Sequence, residues 1–270
     1  MSEMVLNEYA DGKILAGTHA HVGRVVINNP ERHNAISLEM WDAATSVIAE
    51  MATDETVRLL IISGSGGKAF ASGADISKFE SERATAEAVA HYQATSTRFY
   101  DTLENFPKPT IAAIRGYCIG GGLALAVGCD LRLCEERSRF GVPAARLGLG
   151  YGYSGIKRLT KLVSTSMAQE IFYTARQFSA QEAYDMGLVN RVLPDAVFDS
   201  FVDDYARRIC ENAPLTIAAV KAVTLDIHRD PADRDFERLD RMVQLCFDSE
   251  DYVEGRRAFM EKRPPRFRGV

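Results

Sequence analysis

Two glycine-containing segments of the sequence could place backbone N–H groups against a carbonyl oxygen. The first runs from Ala69 to Ile76, and the second runs from Gly116 to Gly122. Glycine lets the backbone approach a ligand closely because no side chain stands in the way. Amides presented in this manner can form an oxyanion hole, which stabilises a negatively charged oxygen. Taken alone, Gly120-Gly121-Gly122 is equally consistent with a helix packed tightly against a strand.

Other catalytic motifs fail on their spacing. The segment Gly64–Lys68 lacks the leading glycine of a phosphate-binding P-loop and predicts a turn instead. Leu125 stands where a dinucleotide-binding fingerprint needs its third glycine, and Ile156 stands where a nucleophile elbow needs its closing glycine. The five histidines form no HExxH motif and have no carboxylate at ligand spacing, so we expect no metal site.

Composition favours a small-molecule ligand. The chain has 270 residues, 32 Lys plus Arg against 37 Asp plus Glu, and a formal net charge of -5. Nucleic acid or an anionic membrane would favour a strong basic excess, so we expect neither as a partner. Five cysteines without a CxxC pair predict buried, reduced thiols. The N-terminus shows no signal-length apolar run, and the expected location is the cytoplasm.

Strand and helix patterns alternate over the first two thirds of the chain. After about Ser164 the pattern becomes almost entirely helical, with a capping box at Ser179 and Glu182. The sequence therefore predicts an α/β core over residues 1–194 and a helical C-terminal region over residues 195–270. The predicted strands are His21–Asn28, Leu59–Ile62, Thr110–Ile114, Leu131–Cys134 and Phe140–Val142, and the predicted helices begin near Ser37, Ala84 and Pro214.

Several motifs in a fixed order resemble the crotonase (enoyl-CoA hydratase/isomerase) superfamily. The similarity extends from about Arg24 to Leu193, and it includes both glycine-containing segments. This resemblance implies a spiral of ββα units with a helical region for trimer formation, and a homotrimer or a hexamer built as a dimer of trimers. The other motifs are Asn29-Pro30-Glu31-Arg32-His33-Asn34-Ala35, Lys108-Pro109-Thr110 ahead of the second glycine-containing segment, Phe140-Gly141-Val142-Pro143, Arg158-Leu159, Ala180-Gln181-Glu182-Ala183 and Gly187-Leu188-Val189.

The resemblance assigns the oxyanion-hole donors to the N–H groups of Ala74 and Gly121. Hydratases of the family also use two glutamates, and both of those positions hold alanine here, Ala124 and Ala144. The stretch from Ser138 to Gln169 contains no Asp or Glu that could replace them. Standard two-glutamate hydration is therefore not expected.

The resemblance also places the loop that holds Tyr151 and Tyr153 against the acyl pocket. Phenols could donate hydrogen bonds or protons there, because a tyrosine titrates near pH 10 and suits an acid better than a base. The open alternative is that both tyrosines only line an aromatic pocket. For the coenzyme A (CoA) moiety, the implied contacts are Arg32, Ala71, Gly73, Asp75 and Ile76, with Phe259 and Lys262 supplied by a neighbouring subunit.

The resemblance thus predicts a lyase or isomerase that acts on an acyl-CoA or enoyl-CoA thioester and stabilises its enolate. Fatty acid metabolism is the expected setting of this activity. No cofactor is expected beyond the CoA moiety of the substrate. The alternative from a different class is a catalytically silent protein that binds CoA thioesters. The basic C-terminal tail suits phosphate, although a solvated tail explains it equally well.

Overall fold

The computed structural model describes residues 4–75 and 84–270. These residues contain eleven strands and ten helices, besides short 3₁₀ turns. The strands are β1 (Asn7–Tyr9), β2 (Ile14–His19), β3 (Val22–Ile27), β4 (Leu59–Gly64), β5 (Ala69–Ala71), β6 (Thr110–Ile114), β7 (Tyr117–Ile119), β8 (Leu131–Glu135), β9 (Arg139–Gly141), β10 (Phe178–Ser179) and β11 (Arg191–Leu193). The helices are α1 (Leu38–Thr53), α2 (Ala86–Glu104), α3 (Gly121–Gly128), α4 (Tyr153–Thr160), α5 (Thr165–Thr174), α6 (Ala180–Asp185), α7 (Asp195–Cys210), α8 (Pro214–Ile227), α9 (Phe236–Asp248) and α10 (Glu250–Glu261).

The strands form two sheets through a repeated unit. The larger sheet has the order β1-β2-β3-β4-β6-β8-β11, and the smaller has the order β10-β9-β7-β5. Three times in succession the chain makes a strand of the larger sheet and then a strand of the smaller one: β4 and β5, β6 and β7, β8 and β9. A helix follows each pair. This repetition is the spiral of ββα units that the resemblance implies. The sequence patterns did not predict six of the strands: β1, β2, β5, β7, β10 and β11.

The larger sheet is covered on both faces, which explains its continuous apolar runs. In β4, Leu60 and Ile62 pack into the core that lies between the two sheets and helices α1 to α3. Leu59 and Ile61 point to the opposite face and pack into a second core. Phe198 of α7 belongs to that second core. Side chains alternate between the faces of a strand, so an unbroken apolar run fits only where both faces are buried.

Capping residues fix where the predicted helices begin. The Ser37 side chain accepts a hydrogen bond from the Met40 N–H at the start of α1. Ser179 and Glu182 form the predicted capping box of α6, and Pro214 occupies the first turn of α8. The first turn of a helix leaves backbone N–H groups without an intrahelical acceptor. The serine caps accept hydrogen bonds from such groups, and Pro214 has no N–H to satisfy.

The last strand ends at Leu193, and helices α7 to α10 follow it. The C-terminal tail folds back onto α10, because the Asp251 carboxylate accepts the N–H groups of Arg268 and Gly269 at 2.7 and 2.8 Å. No described helix is long and apolar enough to cross a bilayer. The helical C-terminal region is thus confirmed, and the domain boundary at residue 194 stays a prediction.

All five cysteines are free thiols, as predicted, and four of them are buried. Cys246 is only half-buried, which corrects the expectation that all five lie in the interior. Burial raises the pKa of Cys129 and of Cys134 to about 12. Protonated thiols of this kind are poor nucleophiles, so these cysteines serve packing.

An ion pair between a buried lysine and a half-buried aspartate joins the C-terminal helices to the α/β core. The Nζ of Lys221 in α8 lies 2.8 Å from Oδ2 of Asp130, which directly precedes β8. The same oxygen accepts the N–H of Thr110 at 2.7 Å and its hydroxyl at 3.0 Å. Asp130 therefore orients backbone at the start of β6.

We predict that Asp130→Ala lowers the free energy of unfolding by about 2–4 kcal/mol, because it leaves the buried Lys221 ammonium without its counter-charge. Chemical denaturation measures this change. The double variant D130A/K221M should recover part of the loss, and Asp204→Ala, in an exposed ion pair of α7, should leave the unfolding midpoint nearly unchanged. Wild-type stability of D130A would contradict the prediction.

Candidate functional site

The segment after β5 presents one backbone N–H away from its neighbours. The N–H of Ile36 donates to the carbonyl of Gly73 at 2.8 Å, and the N–H of Asp75 donates to the carbonyl of Ile36 at 3.1 Å. These bonds form a parallel bridge between Ile36 and Ala74. In such a bridge the N–H of the central residue points to the opposite side. Among the described residues, the Ala74 N–H has no backbone acceptor.

The second backbone N–H belongs to the first residue of α3. Gly121 opens the helix, and the N–H groups of a first turn have no intrahelical acceptor. Gly120 before it has φ 55° and ψ -118°, a conformation that favours glycine. Gly122 lies so close to β5 that a Cβ on it would overlap the carbonyl oxygen of Ala71. The glycines therefore serve both close packing and an exposed amide.

The backbone nitrogen atoms of Ala74 and Gly121 lie beside one small space. A Cβ built on Gly121 would lie 3.6 Å from the nitrogen of Ala74 and 3.4 Å from the Cα of Gly73. That position is also about 2.5 Å from the nitrogen of Gly121 itself, by standard geometry. Two N–H donors beside one point, with the positive end of α3 behind one of them, can hold an oxygen that gains negative charge.

This space opens into a cavity of about 490 Å³. The cavity is walled by one face of α2, the first turns of α3 and α4, and the loop between β9 and α4. Its described lining contains no Asp or Glu. Ala124 and Ala144, the positions matched to the missing glutamates, both line it. The lining also includes Gly73, Ala74, Tyr92, Ser96, Tyr100, Gly121, Tyr151, Arg158 and Phe172.

The cavity receives one of the two predicted tyrosines. Tyr151 lines the cavity and packs edge-on against Phe172, with ring centroids 4.8 Å apart. Tyr153 does not line it and is 75% exposed, with the Lys157 ammonium 5.6 Å from its ring centre.

The reason is the period of α4. With 3.6 residues per turn, the face that carries Ser154, Gly155, Arg158 and Leu159 points into the cavity. Tyr153 lies on the opposite face of the same helix, so the structure does not bring the two predicted phenols together.

Sequence reasoning missed a second group of phenols, which lies on α2. Tyr92 and Tyr100 both line the cavity. Burial raises the pKa of Tyr100 well above 10, and the nearby phenols of Tyr151 and Tyr92 add to the effect. The spacing of Tyr92, Ser96 and Tyr100, four residues apart on one helix face, was the signal in the sequence.

The residues assigned to the CoA moiety fall into two groups. Ala71 is buried in β5. Gly73 has φ 97°, and a Cβ on this residue would lie only 3.0 Å from the nitrogen of Gly121, which is closer than an ordinary contact. Asp75 is buried and pairs with the Arg32 guanidinium at 3.2 Å. Ile76 lies outside the described residues.

The C-terminal pair stands apart from the cavity. Phe259 is 83% exposed near the end of α10, and Lys262 terminates that helix in a left-handed conformation. Neither lines the cavity of its own chain. The basic tail beside them is partly neutralised, because Arg263 pairs with Glu254 at 2.6 Å and Arg268 pairs with Glu250.

Solved structures place this fold in a known class. An enoyl-CoA hydratase/carnithine racemase from Magnetospirillum magneticum matches the chain with a TM-score of 0.91 and 35% identity, covering 96% of each chain. The α/β crotonase fold that the sequence predicts is therefore confirmed.

The sequence comparisons are consistent with that class. The family model for enoyl-CoA hydratase/isomerase matches residues 17–270. Crotonyl-CoA hydratase of Syntrophomonas wolfei is 36% identical over 245 residues, which cover 89% of this chain and 92% of that protein. (E)-benzylidenesuccinyl-CoA hydratase of Thauera aromatica is 31% identical over 250 residues, 93% of this chain and 96% of that protein. The chain belongs to the enoyl-CoA hydratase/isomerase family.

We predict that Gly122→Ala lowers the melting temperature, because its methyl group must push the start of α3 away from the Ala71 carbonyl. Differential scanning calorimetry measures the effect. Gly255→Ala in α10 is the matched control, since its Cβ would meet only Phe267 at an ordinary 3.4 Å. If the G122A and G255A proteins had the same melting temperature, α3 would not lie this close to β5.

Proposed function

We propose that the protein is an enzyme that processes acyl-CoA or enoyl-CoA thioesters and stabilises a thioester enolate. The observation that carries this proposal is that the backbone nitrogen atoms of Ala74 and Gly121 lie close together in the lining of one cavity. In other oxyanion holes one such donor contributes about 3–4 kcal/mol to the transition state. The names of the similar proteins, which act on crotonyl-CoA and benzylidenesuccinyl-CoA, support a CoA thioester as the substrate class.

The described lining argues against hydration by a pair of carboxylates. Ala124 and Ala144 cannot move a proton, and a general acid or base is worth about 10² to 10⁴ in rate. Tyr151 is the residue that we assign to donate a hydrogen bond or proton near the α-carbon, with substrate groups or ordered water carrying the remaining protons. Decarboxylation, isomerisation and a residual hydration are the reactions that this arrangement allows.

For CoA we propose the contacts that the family resemblance implies. The backbone around Ala71, Gly73, Asp75 and Ile76 would hold the adenine and pantetheine, with Arg32 near the phosphates. The reaction would need no cofactor beyond the CoA moiety, and we keep the cytoplasm as the predicted location.

Phe259 and Lys262 would reach this CoA site from a neighbouring subunit of a homotrimer or hexamer. Their exposure in the single chain supports that arrangement. Further apolar side chains exposed on α9 and α10 also support it: Phe236, Leu245, Phe247, Val253 and Met260.

A second candidate function is a silent CoA-thioester-binding protein. The absence of a carboxylate from the described cavity lining favours it. The two functions predict the same binding and differ in turnover.

The deciding experiment is mass spectrometry of CoA esters after incubation with a panel of enoyl-, malonyl-type and β-ketoacyl-CoAs. We predict that the wild type converts at least one ester. Gly121→Pro should convert none and melt like the wild type, because proline suits the first helical position but replaces the N–H. If the wild type binds these esters and converts none of them, the protein is the silent CoA-thioester-binding protein. If G121P converts an ester at the wild-type rate, the Gly121 amide has no role in catalysis.

For the converted ester, we predict that Tyr151→Phe lowers kcat by about 10² if the phenol acts as a general acid. Tyr153→Phe is the matched control, because it removes a phenol two residues away that lies outside the cavity. Steady-state kinetics measure both variants. Equal rates for wild type and Y151F would mean that Tyr151 only lines the acyl pocket.

A further inference from the structure

The hydroxyl of Tyr100 contacts the residue that presents one of the two converging amides. It donates a hydrogen bond to the carbonyl oxygen of Gly121 at 3.2 Å. Its oxygen also lies 3.4 Å from the point where a Cβ on Gly121 would be, the same point that is 3.6 Å from the nitrogen of Ala74. Tyr100 therefore sits at the edge of the space that the two amides share.

A run of three glycines needs such an anchor. Glycine has the widest conformational freedom of any residue, and Gly120-Gly121-Gly122 has no Cβ to restrict it. A hydrogen-bond donor in an oxyanion hole must nevertheless be fixed, since a misplacement of about 1 Å can cost about 10² in rate. The three glycines let the backbone approach a ligand closely, but they also make this backbone segment less rigid.

Contacts within α3 and from other elements hold the glycines of this run. The Gly120 carbonyl, which shares a peptide group with the Gly121 N–H, accepts the N–H of Ala124 at 3.0 Å, and Tyr100 acts on the peptide group that follows. The N–H of Gly120 donates to the carbonyl of Gly141 at 2.8 Å, and the thiol of Cys118 contacts the carbonyl of Gly122 at 3.5 Å. Gly121 lies between these two. Among the described side chains, Tyr100 is the one that hydrogen-bonds to it.

Tyr100 is itself held rigidly enough to act as an anchor. Its ring centroid lies 5.4 Å from that of Trp41 and 5.6 Å from that of Phe99. The Arg158 guanidinium lies over the same ring at 5.7 Å. Because burial keeps its pKa well above 10, the phenol stays protonated and remains a donor throughout the physiological pH range.

We propose that Tyr100 is a positioning residue, whose hydroxyl fixes Gly121 so that its N–H points into the oxyanion hole. The inference rests on the proposed function, because it concerns the donor that would bind the thioester oxygen. It assigns Tyr100 a role different from that of Tyr151, since Tyr100 acts through the backbone and exchanges no proton.

The first test uses the ligand-free protein and amide hydrogen exchange. Tyr100→Phe keeps the ring and removes only the hydroxyl. We expect faster exchange of the Ala124 and Leu125 amides, which donate to the carbonyls of Gly120 and Gly121, and an almost unchanged melting temperature. Trp41→Phe is the matched control for loosened packing, because it weakens the contact with the Tyr100 ring and leaves the hydroxyl in place. Faster exchange in W41F but not in Y100F would overturn the proposal, as would a Y100F protein that fails to fold.

The second test uses [1-¹³C]butyryl-CoA and isotope-edited infrared spectroscopy. In the wild type the thioester carbonyl band should move to lower wavenumber on binding, because hydrogen bonds polarise the carbonyl. In Y100F the band should be broader and closer to that of free butyryl-CoA, and kcat for any converted ester should fall about tenfold with little change in KM. Tyr173→Phe, an exposed phenol outside the cavity, should give the wild-type band.

The outcomes separate the two proposals. A wild-type protein that does not bind butyryl-CoA, or binds it without a carbonyl shift, counts against the proposed function, and hydrogen exchange still decides the role of Tyr100. A carbonyl shift that is the same in wild type and Y100F overturns the positioning role and leaves the proposed function intact.

Discussion

The central constraint in this molecule is a pair of backbone N–H groups that no described backbone acceptor satisfies. Leaving a donor without a partner in a folded protein is unfavourable, so the surrounding structure must hold it in place. The Ala74 N–H is held in place by the bridge to Ile36, because Ile36 bonds to the Gly73 carbonyl before Ala74 and to the Asp75 N–H after it. For Gly121 the first turn of α3 supplies no acceptor, and the bonds from the Ala124 N–H to the Gly120 carbonyl and from the Tyr100 hydroxyl to the Gly121 carbonyl hold the backbone on either side.

The packing of the two sheets and α3 sets the distance between these two amides. Parallel pairing of β5 with β7 brings the ends of the two strands to the same edge of the smaller sheet. The close approach of Gly122 to Ala71 then sets how near α3 can come to β5. The larger sheet supports this arrangement from behind, because it is buried on both faces and has little freedom to shift.

Sequence reasoning recovered the elements that follow from local rules. The apolar run of β4, the Ser37 cap and the capping box at Ser179 each depend on neighbouring residues and were predicted. Six strands were missed: β1, β2, β5, β7, β10 and β11. All of these except β2 have only two or three residues, too few to show a hydrophobic period, and β2 pairs with β3 at an exposed end of the sheet. Which tyrosines meet in the cavity depends on the rotation of two helices about their axes. For this reason Tyr151 was found together with the misplaced Tyr153, and Tyr100 was overlooked.

The most direct measurement is a crystal structure of the protein with a non-reactive acyl-CoA. The account predicts the thioester oxygen within about 3.1 Å of the nitrogen atoms of both Ala74 and Gly121, with no carboxylate against the α-carbon. A thioester oxygen bound elsewhere, or an Asp or Glu side chain in contact with the α-carbon, would contradict it.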